Sequence, residues 1–392
     1  MLARRVDGNP LIYLDNAATS LKPQPVIDAM NHYYTHVSAN IHRGKHMLSE
    51  EASDAYEAAR YAVSRFLDCQ SREVVFVQNT THALGMVAAG LDLTSDDLVL
   101  CPLDVHHSNL LPWWDRARVE FIRVDDNGMI DLDHYRTLLA KGPKVVALNH
   151  CSNVTGVIAP VEEMSRQAKA VDAIVVLDAA QSAPHRRLRV RELGCDFAAF
   201  SGHKMLGPTG VGILYVGEQQ FERLKATQLG GGTVDWVDTE HYELRKVPHR
   251  FEGGTPNISG VYGFGAALTY LNTIGMAAVE EHDRAMADLL ASEAAERPTW
   301  VMLGARSTDR VGIASLKLPG LDNLGDAARI LSDSYGVMCR TGHMCAQPLV
   351  EHFAMSQVLR MSTYVYNTQD EIQRAFSALD RICFDLGVNR RH

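Results

Sequence analysis

The stretch FAAFSGHKMLGPTGVGILYV, residues 197–216, holds two apolar runs and a short loop that carries a lysine. About nine residues separate FAAFS (197–201) from VGILYV (211–216), too few for a helix that joins parallel strands. We therefore expect an antiparallel or looped connection here. Lys204 lies in this loop, where glycines let the backbone approach a ligand closely. This position favours a functional lysine over a solvated surface lysine.

Five further apolar runs precede this stretch, and none of them alternates apolar with polar residues. Stretches with helical spacing, such as 50–67 and 160–171, separate them, which favours a mostly parallel sheet covered on both faces. We predict an α/β fold with a large domain over 17–270. A smaller C-terminal α+β domain is predicted over 271–392, with the segment 1–16 packing on it. The five runs are EVVFV (73–77), DLVLC (97–101), VEFIRV (119–124), KVVALN (144–149) and AIVVL (173–177).

The second half of the chain predicts a different succession of elements. Residues 217–255 are rich in glycine and aromatic residues, which indicates an excursion on the surface. The elements predicted after it are a helical stretch over 260–296, a strand at VGIASLKL (311–318), and helices over 325–335 and 369–386.

The composition of the 392 residues is that of an ordinary globular protein, with 46% hydrophobic and 22% charged residues. A formal net charge of −9 argues against a nucleic-acid-binding protein, which needs a basic face. No apolar run follows the first charged residues, and no stretch approaches the roughly 20 apolar residues of a membrane span. We expect a cytoplasmic protein without a nucleic-acid or membrane partner.

The cysteines do not form a metal-binding pattern. Their number is odd and no CxxC pair occurs, so we expect most of them to be small buried residues. The nearest approach to a zinc motif is His343-Met344-Cys345, which is a weak signal without clustered ligands, and we predict no metal. The seven cysteines are Cys69, Cys101, Cys151, Cys195, Cys339, Cys345 and Cys383.

Polar and reactive side chains follow five of the apolar runs directly. Ligands bind beyond the carboxyl ends of the strands in open α/β sheets, so we expect these side chains to form one site. A single polar residue after a strand is usually a cap or a turn residue, but five such groups at one edge favour a functional site. The groups are Gln78 to His82, Asp104 to His107, His150 to Asn153, Asp178 with Gln181, and Ser201 to Lys204.

These residue types suit pyridoxal phosphate (PLP). Asp178, at a strand end, supplies the carboxylate that a cationic pyridinium nitrogen needs. A phosphate group favours a helix N-terminus, and Thr80-Thr81 opens a helix. Lys204 supplies the amine for a Schiff base with the aldehyde, and Ser201 and His203 are within reach of the same phosphate.

Seven blocks of the sequence resemble, in order and spacing, the class V aminotransferases of PLP fold-type I. Within that family they resemble the SUF-type (group II) cysteine desulfurases and selenocysteine lyases. The resemblance runs from about residue 10 to 386. The blocks are YLDNAATSLKP, NIHRGKHMLSE, NHCSNVTG, LDAAQSAPH, SGHKMLGPTGVGILYV, RFEGGTPN and RTGHMCAQPL.

The resemblance implies a role for each matching residue. Lys204 would bind the cofactor covalently, Asp178 would pair with the ring nitrogen and Gln181 with the ring hydroxyl. His106 would stack on the ring and shuttle protons. Thr255 would reach the phosphate of a neighbouring subunit, which implies a homodimer. The remaining implied roles are phosphate binding by Thr80, Thr81, Ser201 and His203, substrate-carboxylate binding by Asn153 and Arg360, and lining of the entry to the site by Arg340, His42 and Arg43.

Cys345 falls where the family places the cysteine that takes sulfur from the substrate. The resemblance therefore implies PLP-dependent conversion of L-cysteine to L-alanine, with a persulfide on Cys345 that passes to an acceptor, as in iron–sulfur cluster assembly. A thiolate is the species required, and Arg340 and His343 could favour it. The sequence departs from the family at Met344, which replaces a second histidine, and at Gln78-Asn79, which replaces the usual residues before the phosphate-binding helix.

The sequence also leaves other functions open. Another PLP-dependent lyase, such as a selenocysteine lyase, carbon–sulfur lyase, epimerase or decarboxylase, would keep Lys204 and Asp178 but need Cys345 less. A non-catalytic scaffold is disfavoured by the intact PLP residues. A nicotinamide-dependent oxidoreductase is disfavoured because no GxGxxG follows the first strand.

Overall fold

The structure is a computed structural model that describes residues 1–304, 309–321 and 323–386. Residues 305–308, 322 and 387–392 of the predicted small domain lie outside the described residues. The division into domains stays a prediction. Within the described ranges, no helix combines the length and the apolar character needed to cross a membrane.

A seven-stranded sheet forms the centre of the large unit, and its strands are buried along most of their length because helices cover both faces. The strands are β4 (Val74–Val77), β5 (Leu98–Pro102), β6 (Arg118–Ile122), β7 (Val145–Asn149), β8 (Ile174–Asp178), β9 (Phe197–Ser201) and β10 (Gly212–Val216). Their order is β4-β10-β9-β8-β7-β5-β6. Only β10 is antiparallel to its neighbours, as predicted from the short connection after β9. The α/β fold with a mostly parallel sheet is confirmed.

The helices of the large unit lie on the two faces of this sheet, and their apolar faces pack with the strands into two core clusters. The predicted helical stretch over 260–296 consists of two helices, because Gly275 adopts a φ of 86° and ends the first. The helices of the large unit are α1 (Gln24–His32), α2 (Met47–Leu67), α3 (Thr80–Gly90), α4 (Leu111–Trp114), α5 (Leu132–Leu139), α6 (Val161–Lys169) and α7 (Ile258–Ile274). The next helix, α8 (Met276–Ala295), packs Met286, Leu290 and Ala294 into the core of the C-terminal sheet instead.

The C-terminal part builds a four-stranded antiparallel sheet with its own apolar core. Its strands are β13 (Val301–Met302), β14 (Ile313–Lys317), β16 (Arg340–Gly342) and β17 (Val358–Ser362), and its helices are α9 (Leu324–Tyr335), α10 (Gln347–His352) and α11 (Gln369–Asp385). The N-terminal segment lies against this part, because β3 (Ile12–Tyr13) pairs with β15 (Val337–Met338). A short ladder joins β1 (Arg5–Val6) to β2 (Asn9–Pro10).

The segment 217–255 contains a small hairpin that the sequence did not predict. Its strands are β11 (Val234–Val237) and β12 (Tyr242–Leu244), and most of their side chains are exposed. The hairpin carries exposed aromatic side chains at Trp236 and Tyr242. Its exposure agrees with the predicted surface excursion.

Candidate active site

A cavity of about 430 Å³ lies at the carboxyl edge of the large sheet. The predicted groups that follow β4, β5, β7, β8 and β9 all contribute to its wall, as their common position at the strand ends predicts. Arg340 and Arg360 from the smaller sheet complete it. Of the predicted site residues, all line this cavity except Thr255, His42 and Arg43.

Lys204 and Asp178 lie together in the buried part of the cavity. Burial lowers the pKa of Lys204 to about 8, and the nearby Asp178 carboxylate opposes that shift. Burial raises the pKa of Asp178, while a hydrogen bond from the Ala180 backbone N–H (2.9 Å) and the charge of Lys204 lower it. The amine is thus prepared to act as a nucleophile near neutral pH.

Hydroxyl groups surround the start of helix α3. The Thr80 N–H donates to Ser201 Oγ at 2.9 Å, and the two hydroxyls lie 2.7 Å apart. Thr81 Oγ1 lies 2.7 Å from Ser108 Oγ. Asn79 caps the helix by accepting from the His82 N–H. A helix N-terminus with several hydroxyls is a suitable site for a phosphate group.

Gly212 lets strand β10 approach this helix start closely. A Cβ at position 212 would lie 2.6 Å from Asn79 Cα, a backbone atom that cannot move aside. Gly212 is also paired with Ser201 in the sheet. The glycine therefore fixes the distance between the loop that carries Lys204 and the start of α3.

His106 and Gln181 lie where the resemblance places the cofactor ring. Burial, followed by the charge of Lys204, lowers the pKa of His106 to about 4, so its imidazole is neutral. Its Nδ1 accepts from the Ser108 N–H at 3.0 Å, which places the ring proton on Nε2. Gln181 donates to Ala17 O at 2.8 Å, and its buried Oε1 has no partner among the described residues. That unsatisfied acceptor suits a hydroxyl group of a bound ring.

Two arginines line the other end of the cavity, and Asp15 accepts hydrogen bonds from both of them. Arg360 is almost completely buried and donates to Asn153 O (3.0 Å) and to Asp15 Oδ1 (3.2 Å). The half-exposed Arg340, paired with Arg360 across β16 and β17, donates to Asp15 Oδ2 at 3.1 Å. Burial lowers the pKa of Arg360 against the opposing charge of Asp15. The pair of guanidinium groups can bind a carboxylate.

Cys345 lies at the exposed side of the same cavity. Met344 and Cys345 both have a φ of 55°, in the left-handed region. The Cys345 carbonyl accepts from the His107 N–H at 2.7 Å, and the Met344 carbonyl accepts from Asn153 Nδ2 at 2.6 Å. The Met344 side chain is buried in an apolar cluster with Val154. The Cys345 thiol thus faces the cavity and solvent, and contacts with His107, Asn153 and the apolar cluster around Met344 hold the loop in place.

The remaining predicted residues line a second cavity of about 240 Å³, which contains His42, Arg43 and Thr255. His42 Nε2 lies 2.9 Å from Glu57 Oε1, and these two groups with His249 could geometrically hold a metal ion. Arg60 also donates to Glu57, at 2.8 Å, and its positive charge opposes a cation there. The charge of Arg60 therefore disfavours a metal ion between His42, Glu57 and His249.

The sequence-based prediction missed Ser108 and Asn149, which line the main cavity, and Asp15, which bonds to its two arginines. Asp15 belongs to YLDNAATSLKP, and its role depends on arginines far along the chain. Ser108 directly follows the predicted histidines, and Asn149 ends β7. Asn149 donates to the buried Asp104 at 3.1 Å, and burial raises the pKa of Asp104 to about 6.

A half-buried lysine near a buried aspartate, together with hydroxyl groups at a helix start, is an arrangement that suits PLP on this α/β fold. The family model "Aminotransferase class-V" matches residues 12–375. The chain belongs to this family, whose enzymes depend on PLP.

Curated relatives match over nearly the whole chain. A probable cysteine desulfurase of Halalkalibacterium halodurans is 37% identical and covers 97% of this chain and 95% of its own length. A probable cysteine desulfurase of Pyrococcus abyssi is 40% identical over 96% of this chain and 95% of its own length.

Solved structures agree with these sequence matches. The apo cysteine desulfurase from Thermococcus onnurineus NA1 superposes with a TM-score of 0.92 at 37% identity, over 98% of this chain and 100% of that chain. The cysteine desulfurase CsdA (S-sulfonic acid) from Escherichia coli gives a TM-score of 0.87 at 31% identity, over 94% of each chain.

Proposed function

We propose that this protein is a cysteine desulfurase that converts L-cysteine to L-alanine and receives the sulfur on Cys345. The observation that carries the proposal is the position of Cys345, an exposed thiol in the same cavity as Lys204 and Arg360. The reaction needs an amine for PLP, an anchor for the substrate carboxylate and a transferable thiol. These three groups meet at one place, and the names of the relatives support the same activity.

The residues present fit PLP. Thr80, Thr81, Ser201 and His203 would hold the phosphate, Asp178 the ring nitrogen and Gln181 the ring hydroxyl, whose partner would be the unsatisfied Gln181 Oε1. When bound, PLP supplies the electron sink for reactions at the carbon atoms of an amino acid.

Arg360 and Arg340 would bind the carboxylate of L-cysteine and so fix the direction in which its side chain points. Lys204, whose burial favours the neutral amine, would take the α-proton from the bound substrate. His106 would act as a neutral hydrogen-bond donor through Nε2.

The Cys345 thiolate would attack the substrate sulfur. A sulfur–sulfur bond forms, the carbon–sulfur bond breaks, and its electron pair stays on the substrate β-carbon, which then takes a proton to become the methyl group of alanine. The product on the protein is a Cys345 persulfide. An acceptor thiol then attacks its outer sulfur and restores the Cys345 thiol. The exposure of Cys345 supports delivery to a protein acceptor.

We also infer that the active protein is a homodimer. Thr255, His42 and Arg43 lie outside the main cavity of their own chain, which supports a role for them at the cavity of a second copy. The exposed Trp236 and Tyr242 of the neighbouring hairpin offer apolar surface for such contact.

We further infer that the protein supplies sulfur in the cytoplasm, and that this sulfur is used for iron–sulfur cluster assembly.

The test is an assay of the purified protein, loaded with PLP, with L-cysteine and a reductant. Equal molar release of alanine and sulfide is expected. Pyruvate, a racemised amino acid or an amine would instead identify another PLP-dependent reaction. Sedimentation of the same sample tests the dimer, and a monomer at full activity would contradict it.

A further inference from the structure

The loop around Cys345, residues 343–347 and here called the Cys345 loop, has a backbone that needs support. Both Met344 and Cys345 carry side chains at a φ of 55°. Left-handed residues other than glycine are unfavourable and persist only where their surroundings hold them. The contacts of this loop therefore determine where the thiol lies.

Asn153 supplies a side-chain contact to this loop, in addition to that of His107, whose Nε2 accepts from the Gln347 N–H at 3.4 Å. Its Nδ2 donates to Met344 O at 2.6 Å, directly before the cysteine. Asn153 is itself buried, and its backbone follows a tight turn in which Ser152 Oγ accepts from the Val154 N–H at 3.3 Å. The amide is thus held on the large unit and reaches across to the loop.

The same residue contacts the predicted substrate anchor. The main-chain oxygen of Asn153 accepts from Arg360 Nη1 at 3.0 Å, and Arg360 is buried. The Asn153 side chain therefore sets the position of the Cys345 loop, and the Asn153 carbonyl orients the Arg360 guanidinium. Asn153 thus contacts both the loop that carries the nucleophile, Cys345, and the proposed anchor for the substrate carboxylate, Arg360.

The geometry points to Asn153 as a positioning residue of the Cys345 loop, a role separate from contact with the substrate. This inference rests on the proposed function only in that Cys345 accepts the sulfur. The Met344 side chain contributes to the same end, because it is 7% exposed and packs beside Val154 and Leu349. The loop is held in the absence of substrate, and the thiol is placed before L-cysteine arrives.

Hydrogen exchange of the loop amides in the PLP-loaded protein, without L-cysteine, tests the inference. Asn153→Ala and Asn153→Asp both remove the donor, and the second keeps the shape of the side chain. We expect the Ala346 and Gln347 amides to exchange about five-fold faster in both variants, the value for loss of one hydrogen bond. Asn149→Ala is the matched control, because Asn149 lines the same cavity and bonds to Asp104 instead. Unchanged exchange in both Asn153 variants would overturn the inference.

The kinetics give a second readout. In Asn153→Ala we expect kcat at saturating L-cysteine to fall about ten-fold or more, because the thiol is no longer placed for attack. A rise in KM with unchanged kcat would mean that Asn153 acts on substrate binding alone, and would contradict a positioning role. If the wild-type protein forms no alanine, the proposed function is wrong, but the exchange measurement still decides whether Asn153 holds the loop.

Discussion

Arg360 and Asp15, which lie 345 residues apart in the sequence, form an ion pair with 3.2 Å between Arg360 Nη2 and Asp15 Oδ1. The second carboxylate oxygen of Asp15 accepts from Arg340 at 3.1 Å. One carboxylate thus separates two guanidinium groups that would otherwise repel each other. A substrate carboxylate would meet arginines that are already oriented by Asp15.

Asp15→Asn should lower the stability of the protein. Removing one partner of a buried pair costs on the order of 3 kcal/mol, because the charge of Arg360 is left uncompensated. L-alanine, the proposed product, should then raise the melting temperature more in Asp15→Asn than in the wild type, since its carboxylate replaces the missing charge. Thermal unfolding with and without L-alanine measures both effects.

The control for this variant is Asp370→Asn. Asp370 lies 3.6 Å from Arg374 on the exposed face of α11, where an ion pair contributes about 0.5 kcal/mol or less. A loss of stability in Asp370→Asn as large as that in Asp15→Asn would show that the arrangement at Arg360 is not special.

Gly212→Ala should weaken PLP binding. The added Cβ would meet the backbone of Asn79 at 2.6 Å and displace the start of α3, at a cost of about 1–3 kcal/mol in overpacking. Gly85→Ala, inside the same helix, meets nothing within 4 Å and should stabilise the protein by up to about 1 kcal/mol. Titration of the two apoproteins with PLP should show weaker binding for Gly212→Ala alone.

The main elements of the fold could be predicted from the sequence because each depends on a local pattern. Uninterrupted apolar runs predicted the strands of the large sheet, and the polar residues that follow these runs predicted most of the residues that line the cavity. Asp15 was missed because its partners are Arg340 and Arg360, which no local pattern connects to it. The hairpin over 234–244 was missed because its short, exposed strands carry little apolar signal.

The change of histidine to Met344 also has an explanation that only the structure provides. The side chain is buried among apolar residues that include Val124 and Leu349. Those neighbours come from distant parts of the chain. Met344, although it departs from the family motif, therefore helps to keep the Cys345 loop in place. A charged histidine in that apolar cluster would be unfavourable.

Asp104→Asn should stabilise the protein at neutral pH. The pKa of Asp104 is raised from 3.8 to about 6, so its protonated form favours the folded state, and this contribution is lost as the pH rises through about 6. Asparagine stays neutral and can donate to Asn149 Oδ1, which has no hydrogen-bond partner among the described residues. The gain over the wild type should grow between pH 4 and pH 7 to the order of 3 kcal/mol.

Denaturant unfolding across that pH range measures this gain, with the exposed Asp133→Asn as the control. A gain that is constant with pH would mean that Asp104 is ionised in the folded protein throughout.

The incorporation of PLP into the apoprotein should accelerate as the pH rises through about 8. Burial lowers the pKa of Lys204 to about 8, so the neutral amine that attacks the aldehyde becomes the major species above that value. The initial rate of the visible absorbance change should increase about ten-fold from pH 7 to pH 9. Lys204→Ala should give no such absorbance at any pH, and a rate that is flat with pH would contradict the assigned environment.

The role of Cys345 is tested most directly by measuring alanine from L-cysteine in the wild type and in Cys345→Ser. Cys69→Ser is the matched control, because burial raises the pKa of the Cys69 thiol to about 12 and makes it unreactive. We predict that the wild type and Cys69→Ser release alanine at the same rate, and that Cys345→Ser binds L-cysteine but releases essentially none. Equal alanine release by Cys345→Ser and the wild type would contradict the persulfide mechanism.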